Sequence, residues 1–470
     1  MSAQNFSKVN IKYYSFSDKK IPVHIIGAGG VGMSGLAILL QREGFQITAS
    51  DKKNSTYLEK LYKSGIQTWT GSCPEKIPEN AVVFYSTAIS GNDLERKFAE
   101  SSKMPIYNRN SILKYITEKY FTIAVAGSHG KTTTSGWIAC MLENSGLDPT
   151  ALIGGTVKRW NANIRLGEGK FNNKRILVIE ADESDQSFLS IRPDISAITN
   201  IDMDHNDFYK DISELYASFR NFVENSFASG GTCYLSYQID SSLKHEMYKN
   251  VKTGHFEETF QNIKIENKKL LYENNIFEIG LSGEHNLYNA SCVLAVAKLM
   301  NIDIEPLRKS LVQYEGISRR MDVLFQNTFS NNHELKIIDD YAHHPREVRA
   351  VLKTLTEKEP NKEIIAVWEP HRISRFVYFY DEFIKSFEEY LPLKKVFLLP
   401  IFAASDNIKD YPQFQNQLEE LKKKTAGYIS GKDELKIIKN TLEKNQKDTV
   451  VVFMGAAESS EYAKELVKII

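Results

Sequence analysis

The chain has 470 residues, 42% of them hydrophobic and 25% charged, which is the composition of a globular protein with room for about three domains of ordinary size. Its 59 basic residues balance its 59 acidic residues, so broad binding to nucleic acid or to an anionic membrane is not expected. The four cysteines are scattered, and without a C-x-x-C pair they indicate buried thiols in a reducing compartment rather than disulfides or a zinc site.

The N-terminal residues lack the apolar stretch of a secretory signal. The segment 21–40 is apolar enough to raise the question of a membrane span, but five glycines and His24 within it favour a buried strand, turn and helix. We therefore expect a cytoplasmic protein that neither inserts into a membrane nor binds nucleic acid.

A glycine-rich turn follows the first predicted strand, which begins at Val23. The turn has the pattern G-x-G-x-x-G at Gly27, Gly29 and Gly32, and Asp51 follows the next predicted strand. Such a turn is typical of a dinucleotide site, with the acid placed for a ribose, although any nucleotide diphosphate fits the same backbone. A tight turn between strand and helix that binds no ligand is the alternative.

A second glycine turn, 126–134, has the sequence AGSHGKTTT and follows the β-branched and apolar run 121–125. It begins a predicted helix that runs to about Asn144. Its G-x-x-G-K-T-T spacing is shorter than the common phosphate loop, but the order of strand, turn, lysine and helix is that of a phosphate-binding turn. Lys131 can reach the terminal phosphates of a nucleotide and Thr132 can ligate Mg²⁺. A glycine turn with an exposed lysine is the alternative.

Acidic residues follow two further predicted strands of this central region. Because parallel strands end at the same edge of a sheet, these acids are expected beside the phosphate loop, where Mg²⁺ bridges carboxylates to phosphates. Helix caps or surface charges are the alternative. The first set is Glu180, Asp182, Glu183 and Asp185, and the second is Asp202, Asp204 and His205. Further on, residues 256–280 predict a hairpin or meander, and a helix is predicted from Ala290 to Met300.

The last third of the chain again alternates strands and helices, and polar clusters follow two of its predicted strands. The first cluster, 339–345, has the sequence DDYAHHP, and its adjacent His343 and His344 fit either a metal site or the lining of a cleft. The second is 369–375, EPHRISR, whose basic residues can direct positive charge at a carboxylate or a phosphate. An exposed basic loop is the alternative for the second cluster.

These motifs together resemble the Mur ligase family, the ATP-dependent amide ligases of peptidoglycan synthesis. The matching segments occur in the family's order, and they are GAGGVGMSGLA, AGSHGKTTT, EADESDQSFL, ITNIDMDHNDFY, GEHNLYNA, DDYAHHP and EPHRISR. The resemblance implies an α/β fold of three domains. Residues 1–118 would form a Rossmann-like parallel sheet, 119–319 a P-loop-type ATPase domain with a mostly parallel sheet and a small β section, and 320–470 a Rossmann-like α/β domain.

The resemblance also implies which residues bind each substrate. The UDP part of UDP-N-acetylmuramate would be bound by Gly27, Gly29, Gly30, Gly32, Asp51 and Ser86. ATP would be bound by Gly127, Ser128, His129, Gly130, Lys131, Thr132, Thr133, Asn289, Arg320 and Asp340. Mg²⁺ would be ligated by Thr132, Glu183 and His205, and L-alanine would be bound by His344, His371, Arg372 and Arg375.

The reaction that the resemblance implies joins L-alanine to the lactyl carboxylate of UDP-N-acetylmuramate. ATP would first convert that carboxylate into an acyl phosphate, which the amine of alanine then attacks. The residues implied in this chemistry are Lys131, His205, His344 and Arg375. Because the amine must be neutral to attack, a base is needed, and His205 and His344 both remain open for that role.

Four alternatives remain open from the sequence. A ligase of the same family could attach a tripeptide to the same nucleotide sugar. A folyl-polyglutamate-type ligase shares the short phosphate loop but not the N-terminal domain. An NAD-dependent oxidoreductase would use the first glycine turn and Asp51, but it leaves Lys131 and the acidic clusters without a role. A nucleotide-binding regulator without catalytic activity is the last alternative.

Overall fold

The computed structural model describes residues 18–204, 208–236, 238–248, 263–272, 275–329, 333–389, 393–404, 406–445 and 447–470. By its contacts the chain divides into two compact units, Met1–Tyr120 and Phe121–Ile470. None of the helices in the described ranges is both long and apolar enough to cross a membrane.

The first unit is built around one parallel sheet. Its strands are β1 Val23–Ile26, β2 Ile47–Asp51, β3 Gln67–Thr70, β4 Val82–Tyr85 and β5 Ile106–Asn108. Its helices are α1 Val31–Arg42, α2 Thr56–Lys63, α3 Leu94–Ser101 and α4 Arg109–Lys119. The strand order is β3-β2-β1-β4-β5, and each pairing is parallel. Every residue of β1 is buried, as expected for a parallel strand covered on both faces by connecting helices.

The second unit begins with a larger, mostly parallel sheet. Its strands are β6 Phe121–Ala126, β7 Thr150–Val157, β8 Ala162–Arg165, β9 Lys170–Phe171, β10 Lys174–Glu180, β11 Ile195–Ile198 and β12 Thr232–Leu235. Their order is β12-β11-β6-β10-β7-β8, and β9 pairs with β10. Only the short strands β8 and β9 pair antiparallel. Strand β6 therefore lies between β10 and β11, so the loop that follows β6 lies beside the ends of both neighbours.

A small antiparallel sheet and five helices complete the described part of this central region. The strands are β13 Ile263–Glu266, β14 Lys269–Tyr272 and β15 Asn275–Phe277, paired in that order. The helices are α5 Lys131–Asn144, α6 Ile212–Ala228, α7 Ser241–Tyr248, α8 Glu284–Leu299 and α9 Ile304–Gln313. The sheet confirms the predicted meander for residues 263–272 and 275–277, whereas 256–262 and 273–274 lie outside the described residues.

The helix predicted from Ala290 begins six residues earlier, at Glu284. Asparagine has a low helix propensity, so Asn286 and Asn289 do not by themselves favour helix before Ala290. In the structure Asn286 Nδ2 donates to the Ser282 carbonyl at 2.6 Å, and Asn289 Nδ2 donates to Asn286 Oδ1 at 3.0 Å. These bonds satisfy two buried amide groups, so the helix extends through them.

The remaining part of the second unit has its own sheet. Its strands are β16 Asp322–Thr328, β17 Glu334–Asp340, β18 Glu363–Trp368, β19 Leu393–Leu398, β20 Gly427–Tyr428 and β21 Thr449–Met454. Its helices are α10 Pro345–Lys358, α11 Ile373–Tyr378, α12 Tyr380–Glu388, α13 Phe414–Lys424, α14 Lys436–Glu443 and α15 Ser459–Ile469. The strand order is β16-β17-β21-β18-β19-β20, and β16 alone among these strands pairs antiparallel. The predicted α/β fold class is thereby confirmed.

Buried aromatic residues fix helix α5, whose N-terminus follows the phosphate loop. The ring of Trp137 is fully buried and stacks on Tyr314, with ring centroids 5.1 Å apart and planes 18° from parallel. The Trp137 indole N–H donates to the Ser310 carbonyl at 3.0 Å. Because a buried Trp needs a partner for its N–H, this packing is specific as well as apolar.

Candidate active site

The glycine turn of the first unit is braced by its neighbouring strand. Gly27 has a φ of +80°, and its N–H donates to the Ser50 carbonyl at 2.9 Å. Asp51 accepts from the Gly29 N–H at 2.9 Å and from the Lys53 N–H at 3.1 Å. Asp51, which was predicted to contact a ribose, therefore also supports the turn itself.

The other predicted UDP-binding residues lie on the same edge of this sheet. Gly30 is the N-cap residue of α1 and Gly32 lies in its first turn, and a Cβ at either position would meet nothing within 4 Å. Ser86 follows β4, and its hydroxyl accepts from the Ala88 N–H at 3.4 Å. The structure thus places the predicted set around the ends of β1, β2 and β4.

In the second unit, two glycines of the phosphate loop require their special backbone. Gly127 has a φ of +130°, and a Cβ there would lie 2.1 Å from Thr199 Oγ1. Gly130 has a φ of +82°, caps α5, and would place a Cβ 2.4 Å from Asn289 Oδ1. A residue other than glycine would therefore be strained by its backbone and would collide with a neighbour.

The loop after β11 holds the phosphate loop in shape. Asn200 accepts from Ser128 N through its carbonyl at 3.1 Å and from His129 N through Oδ1 at 2.9 Å. The His129 carbonyl accepts from Thr199 Oγ1 at 2.6 Å and from Asn200 Nδ2 at 2.9 Å. Since these amides already have protein partners, the first-turn amides of α5 are the donors best placed for a phosphate. Thr199 and Asn200 were not singled out in the sequence.

Lys131 lies among carboxylates at the start of α5. Its Nζ is 2.9 Å and 2.7 Å from the two carboxylate oxygens of Glu183, and 2.7 Å from the Gly127 carbonyl. Burial by itself would lower the pKa of Lys131, but Glu183, Asp182 and Glu180 outweigh it and raise that pKa above its ordinary value. The ammonium group therefore keeps its charge at neutral pH, as a phosphate ligand must.

The first acidic cluster divides into two pairs. Glu183 pairs with Lys131, while Glu180 accepts from the Gly154 N–H at 2.8 Å and from the Thr132 hydroxyl, and burial raises the pKa of Glu180. Asp182 and Asp185 accept from backbone amides two residues further on, at 3.0 Å each. The two glutamates thus lie beside the phosphate loop, whereas the two aspartates support the turn that carries them.

The oxygen donors beside the loop suit Mg²⁺. The Thr132 hydroxyl and the carboxylates of Glu180 and Glu183 are hard ligands of the kind Mg²⁺ prefers. His205, the third predicted metal ligand, lies outside the described residues. Within the described ranges no group of three or more His, Cys, Asp or Glu side chains is arranged to hold a metal ion. Mg²⁺ commonly relies on few protein ligands together with substrate phosphates, so the described donors are chemically compatible with it.

The second acidic cluster contacts the C-terminal part of the same unit. Asp204 accepts from Arg375 at 2.9 Å and 3.1 Å, and both side chains are at least 93% buried. Asp202 forms an ion pair with Arg346, whose side chain is 62% exposed. Arg375, predicted to bind a carboxylate, therefore has a carboxylate partner within the chain.

A cavity of about 650 Å³ opens beside the phosphate loop, which is the size range of small-molecule sites. The structure brings together there several residues predicted for ATP, namely His129, Gly130, Thr133, Asn289, Arg320 and Asp340. Burial raises the pKa of Asp340 to about 6, although its carboxylate accepts from the Met321 and Ala342 amides at 2.7 Å and 2.8 Å. His285, which also lines the cavity, was not predicted, and burial lowers its pKa to about 4.

Glu347 joins the phosphate loop to the C-terminal residues, and the sequence did not single it out. Its carboxylate lies 3.7 Å from His129 Nδ1, 3.4 Å from Arg320 Nη1 and 3.3 Å from His343 Nδ1. Although burial acts to raise its pKa, His343, Arg320 and His129 hold that pKa well below the ordinary value. A Glu two residues beyond a proline at a helix start is a common capping residue, so the sequence offered little signal for this role.

The predicted amino-acid-binding residues gather after β17 and β18. His371 stacks on Phe402, and its Nδ1 is 3.2 Å from Arg375 Nη1. Burial, followed by the charges of Arg375 and Arg372, lowers the pKa of His371 to about 4. Arg372 has a φ of +65° and donates its N–H to the Phe402 carbonyl at 2.8 Å.

His344 is held between the two parts of the unit. Its ring is 3% exposed and lies 4.8 Å from the His129 ring and 4.7 Å from the Phe379 ring, measured between centroids. Its Nδ1 accepts from the Arg346 N–H at 3.3 Å, which makes His344 the N-cap of α10. His344 therefore packs against the rings of His129 and Phe379 and caps the N-terminus of α10.

Comparisons with known proteins identify the family of this chain. The domain family described as Mur ligase family, catalytic domain, matches residues 22–121; Mur ligase middle domain matches 125–297; and Mur ligase, glutamate ligase domain, matches 319–457. The chain is 32% identical over 465 residues to a UDP-N-acetylmuramate--L-alanine ligase of Aquifex aeolicus, covering 95% of this chain and 97% of the relative. The chain belongs to the Mur ligase family.

Solved structures of two relatives share the fold. The UDP-N-acetylmuramate-alanine ligase MurC of Thermotoga maritima has a TM-score of 0.74 at 23% identity, covering 96% of this chain and 99% of that one. A murein peptide ligase of Psychrobacter arcticus has a TM-score of 0.68 at 19% identity, covering 95% and 98%. At such identities these likenesses concern the fold alone.

Proposed function

We propose that this chain is an ATP-dependent ligase that joins L-alanine to the lactyl carboxylate of UDP-N-acetylmuramate, producing ADP and phosphate, in the synthesis of peptidoglycan precursors. The observation that carries the proposal is the phosphate loop, in which the ammonium of Lys131 lies 2.7 Å from Glu183, in a chain similar over 95% of its length to a ligase of that name. An NAD-dependent oxidoreductase leaves this cation and its carboxylates without a role.

Phosphoryl transfer to a carboxylate brings anions together, so the site must supply positive charge. Lys131 and the first-turn amides of α5 would contact the phosphates of ATP. Thr132, Glu183 and His205 are proposed to hold Mg²⁺, which when bound adds positive charge between the phosphates and the protein. In this state the ammonium of Lys131 would exchange its contact with Glu183 for one with a phosphate oxygen.

The remaining ATP-binding residues would surround the nucleoside in the cavity beside the loop. Asn289 lies against Gly130, and both line that cavity together with Arg320 and Asp340. An amide side chain can both donate to and accept from the edge of a base, and a guanidinium group can contact a phosphate or stack on a ring. We assign adenine to Asn289, and we assign Arg320 and Asp340 to the nucleotide from the C-terminal side.

The amino acid would be bound by His344, His371, Arg372 and Arg375. The carboxylate of Asp204 accepts from Nε and Nη2 of Arg375 and fixes this guanidinium, so Nη1 is the nitrogen that would donate to the carboxylate of the amino acid. In the first unit, the turn around Gly27, Gly29, Gly30 and Gly32, with Asp51 and Ser86, is assigned to the UDP part of the other substrate. The cysteines of the chain are free thiols, which fits the cytoplasmic location that we propose.

The experiment that tests this function measures ADP release with a panel of amino acids and the murein tripeptide, with and without UDP-N-acetylmuramate. We expect release that depends on both the nucleotide sugar and free L-alanine. Release with the tripeptide but not with alanine would instead favour the tripeptide ligase. Release without the nucleotide sugar would contradict both.

The variant Lys131→Ala tests the role of the phosphate loop in this reaction. Loss of a preorganised charge contact in such a site typically costs about 3–4 kcal/mol, so turnover should fall by roughly 10²–10³. The control is Lys424→Ala, which removes the same charge from the half-exposed end of α13, where Lys424 pairs only with exposed Glu420 among the contacts described. Similar turnover in both variants would remove Lys131 from the mechanism.

A further inference from the structure

The proposed ligase reaction needs a base, and the inference that follows rests on that function. When the amine nitrogen of alanine forms a bond to the acyl-phosphate carbon, it becomes positively charged and must release a proton. A group with an unshared electron pair has to lie beside the nitrogen at that moment. The histidines after β17 differ in whether they can act in this way.

His344 is in the wrong tautomer for a base. Its Nδ1 accepts from the Arg346 N–H at 3.3 Å, so this nitrogen carries no proton. Burial lowers the pKa of His344 to about 3, so the ring is neutral and its proton must be on Nε2. His344 can therefore donate a hydrogen bond from Nε2 but has no free electron pair to receive a proton while it caps α10.

His343 has the opposite tautomer. Its Nδ1 lies 2.9 Å from the Tyr341 carbonyl oxygen, and because a carbonyl only accepts, the proton of the ring is on Nδ1. The electron pair is then on Nε2. Glu347 Oε2 lies 3.3 Å from the same Nδ1 and accepts from the His343 backbone N–H at 3.1 Å. A carboxylate behind the protonated nitrogen both orients an imidazole and stabilises the cation formed when the ring takes up a proton.

His343 also lies beside the residues proposed to bind the amino acid. Its ring centroid is 5.4 Å from that of His371, and its side chain is 16% exposed. The charged and titratable groups that face it include Glu347 on α10, Tyr341 after β17, His371 and Arg375 after β18, and Asp204 after β11. Burial, supported by Arg375 and His371 and opposed by Glu347 and Asp204, lowers the pKa of His343 to about 3, so the ring is neutral at neutral pH.

We propose that His343 is the general base for the attacking amine and that Glu347 is the positioning residue that keeps its electron pair on Nε2. The zwitterion of alanine first loses one proton to solvent. The neutral nitrogen then forms the C–N bond and gives a second proton to Nε2. The bond between the carbonyl carbon and the phosphate oxygen breaks, and phosphate leaves with that electron pair. The proton on His343 passes to the phosphate or to water.

The timing of the proton transfer follows from the weakness of the base. A neutral imidazole with a strongly lowered pKa does not deprotonate free ammonium, which is a far weaker acid. It does accept a proton from a nitrogen that has become cationic while bonding to the acyl carbon. The transfer therefore accompanies bond formation. A nucleophile whose cationic nitrogen is acidic enough to lose its proton to water should depend much less on His343.

The test compares two nucleophiles on one acyl phosphate. Protein, ATP, Mg²⁺ and UDP-N-acetylmuramate are mixed with saturating L-alanine or with hydroxylamine, whose protonated nitrogen is a much stronger acid than that of alanine, and the amide and the hydroxamate are quantified. For His343→Gln we expect the ratio of amide to hydroxamate to fall by about 10² or more, the range of general base catalysis. For Glu347→Gln we expect a smaller fall of about tenfold, because the base is still present but less well oriented.

His344→Asn is the matched comparison, since asparagine can still cap α10. If His344 acts only by packing, capping and binding alanine, then at saturating alanine both products fall by the same factor and their ratio is unchanged. An unchanged ratio in His343→Gln, or a lowered ratio in His344→Asn alone, would overturn the assignment of the base. Wild-type protein that forms neither product would instead overturn the proposed function, and this inference with it.

Discussion

At the scale of single residues, Gly130 connects the phosphate loop to the cavity. Gly130 is the N-cap residue of α5 and has a φ of +82°. A Cβ at this position would lie only 2.4 Å from Asn289 Oδ1. The backbone turn of the loop and the proposed contact of Asn289 with adenine therefore both require a residue without a side chain at position 130. A side chain here would both strain the backbone and displace Asn289.

We predict that Gly130→Ala weakens the binding of ATP at least about tenfold, which corresponds to about 1.4 kcal/mol. Gly146→Ala is the control, because Gly146 has a similar φ of +77° but a Cβ at this position would meet no atom within 4 Å. Calorimetric titration with ATP and Mg²⁺ measures both affinities. Equal weakening in the two variants would mean that backbone strain, and not the contact with Asn289, decides the effect.

Some site residues could be predicted from the sequence because their roles are local. Lys131 follows a strand and a glycine turn within a few residues, so the motif alone indicates a phosphate contact. Glu347 and Asn200 could not be found in this way, because the partner of each on the phosphate loop, His129, is distant in the chain. The choice between His343 and His344 depends on which backbone group faces each Nδ1, and no sequence pattern specifies that.

At the scale of secondary-structure elements, a buried polar network joins β1, β2, β3 and α3 of the first unit. His24 is fully buried and stacks on Trp69 with ring centroids 4.9 Å apart. Glu95 is 1% exposed and accepts from Ser50 Oγ, from Trp69 Nε1 at 2.7 Å and from Cys73 N at 2.9 Å. A buried carboxylate with this many donors is stabilised as the anion.

The pKa of Glu95 sets the sign of its effect on stability. Burial would raise that pKa, but hydrogen bonds with His24, Ser50, Cys73 and Trp69 lower it from 4.5 to about 2. Because the folded pKa lies below the unfolded one, ionised Glu95 stabilises the fold above pH 4.5, and this contribution is lost as the pH falls toward 2. The shift corresponds to about 3 kcal/mol at neutral pH as an order of magnitude.

We predict that Glu95→Gln lowers the free energy of unfolding by about 1–3 kcal/mol at neutral pH, and that the difference from wild type falls to less than half near about pH 3. Urea unfolding at the two pH values measures this. The exposed Glu79→Gln serves as control and should change stability by no more than about 0.5 kcal/mol. A deficit in Glu95→Gln that is the same at both pH values would contradict the ionised state of Glu95.

Element prediction succeeded where strands are buried on both faces and failed where side chains override propensity. The run 121–125 consists of apolar residues and one β-branched threonine, and all of β6 is buried as that pattern predicts. The start of α8 was misplaced because the two asparagines in its first turns disfavour a helix locally. Their buried hydrogen bonds, which reverse that preference, exist only in the folded chain.

At the scale of the whole molecule, two ion pairs join the central and C-terminal parts of the second unit, and they differ in how much they contribute to stability. The Asp204–Arg375 pair is buried, so loss of either partner would leave an uncompensated charge, whereas the Asp202–Arg346 pair has an exposed arginine and contributes little. Both pairs join residues far apart in the sequence. The α/β class could be predicted from the sequence, because it depends on local patterns of strands and helices. The contacts between the two parts of this unit could not, because their partners are far apart in the chain.

In the proposed reaction, ATP activates a carboxylate before the amine attacks it. The most direct test of this order uses UDP-N-acetylmuramate labelled with ¹⁸O in its lactyl carboxylate, together with ATP, Mg²⁺ and L-alanine. An acyl-phosphate route transfers one carboxylate oxygen to phosphate, so we predict one ¹⁸O in each phosphate released, by mass spectrometry. Phosphate that is released without the label while the amide forms would contradict the acyl-phosphate route.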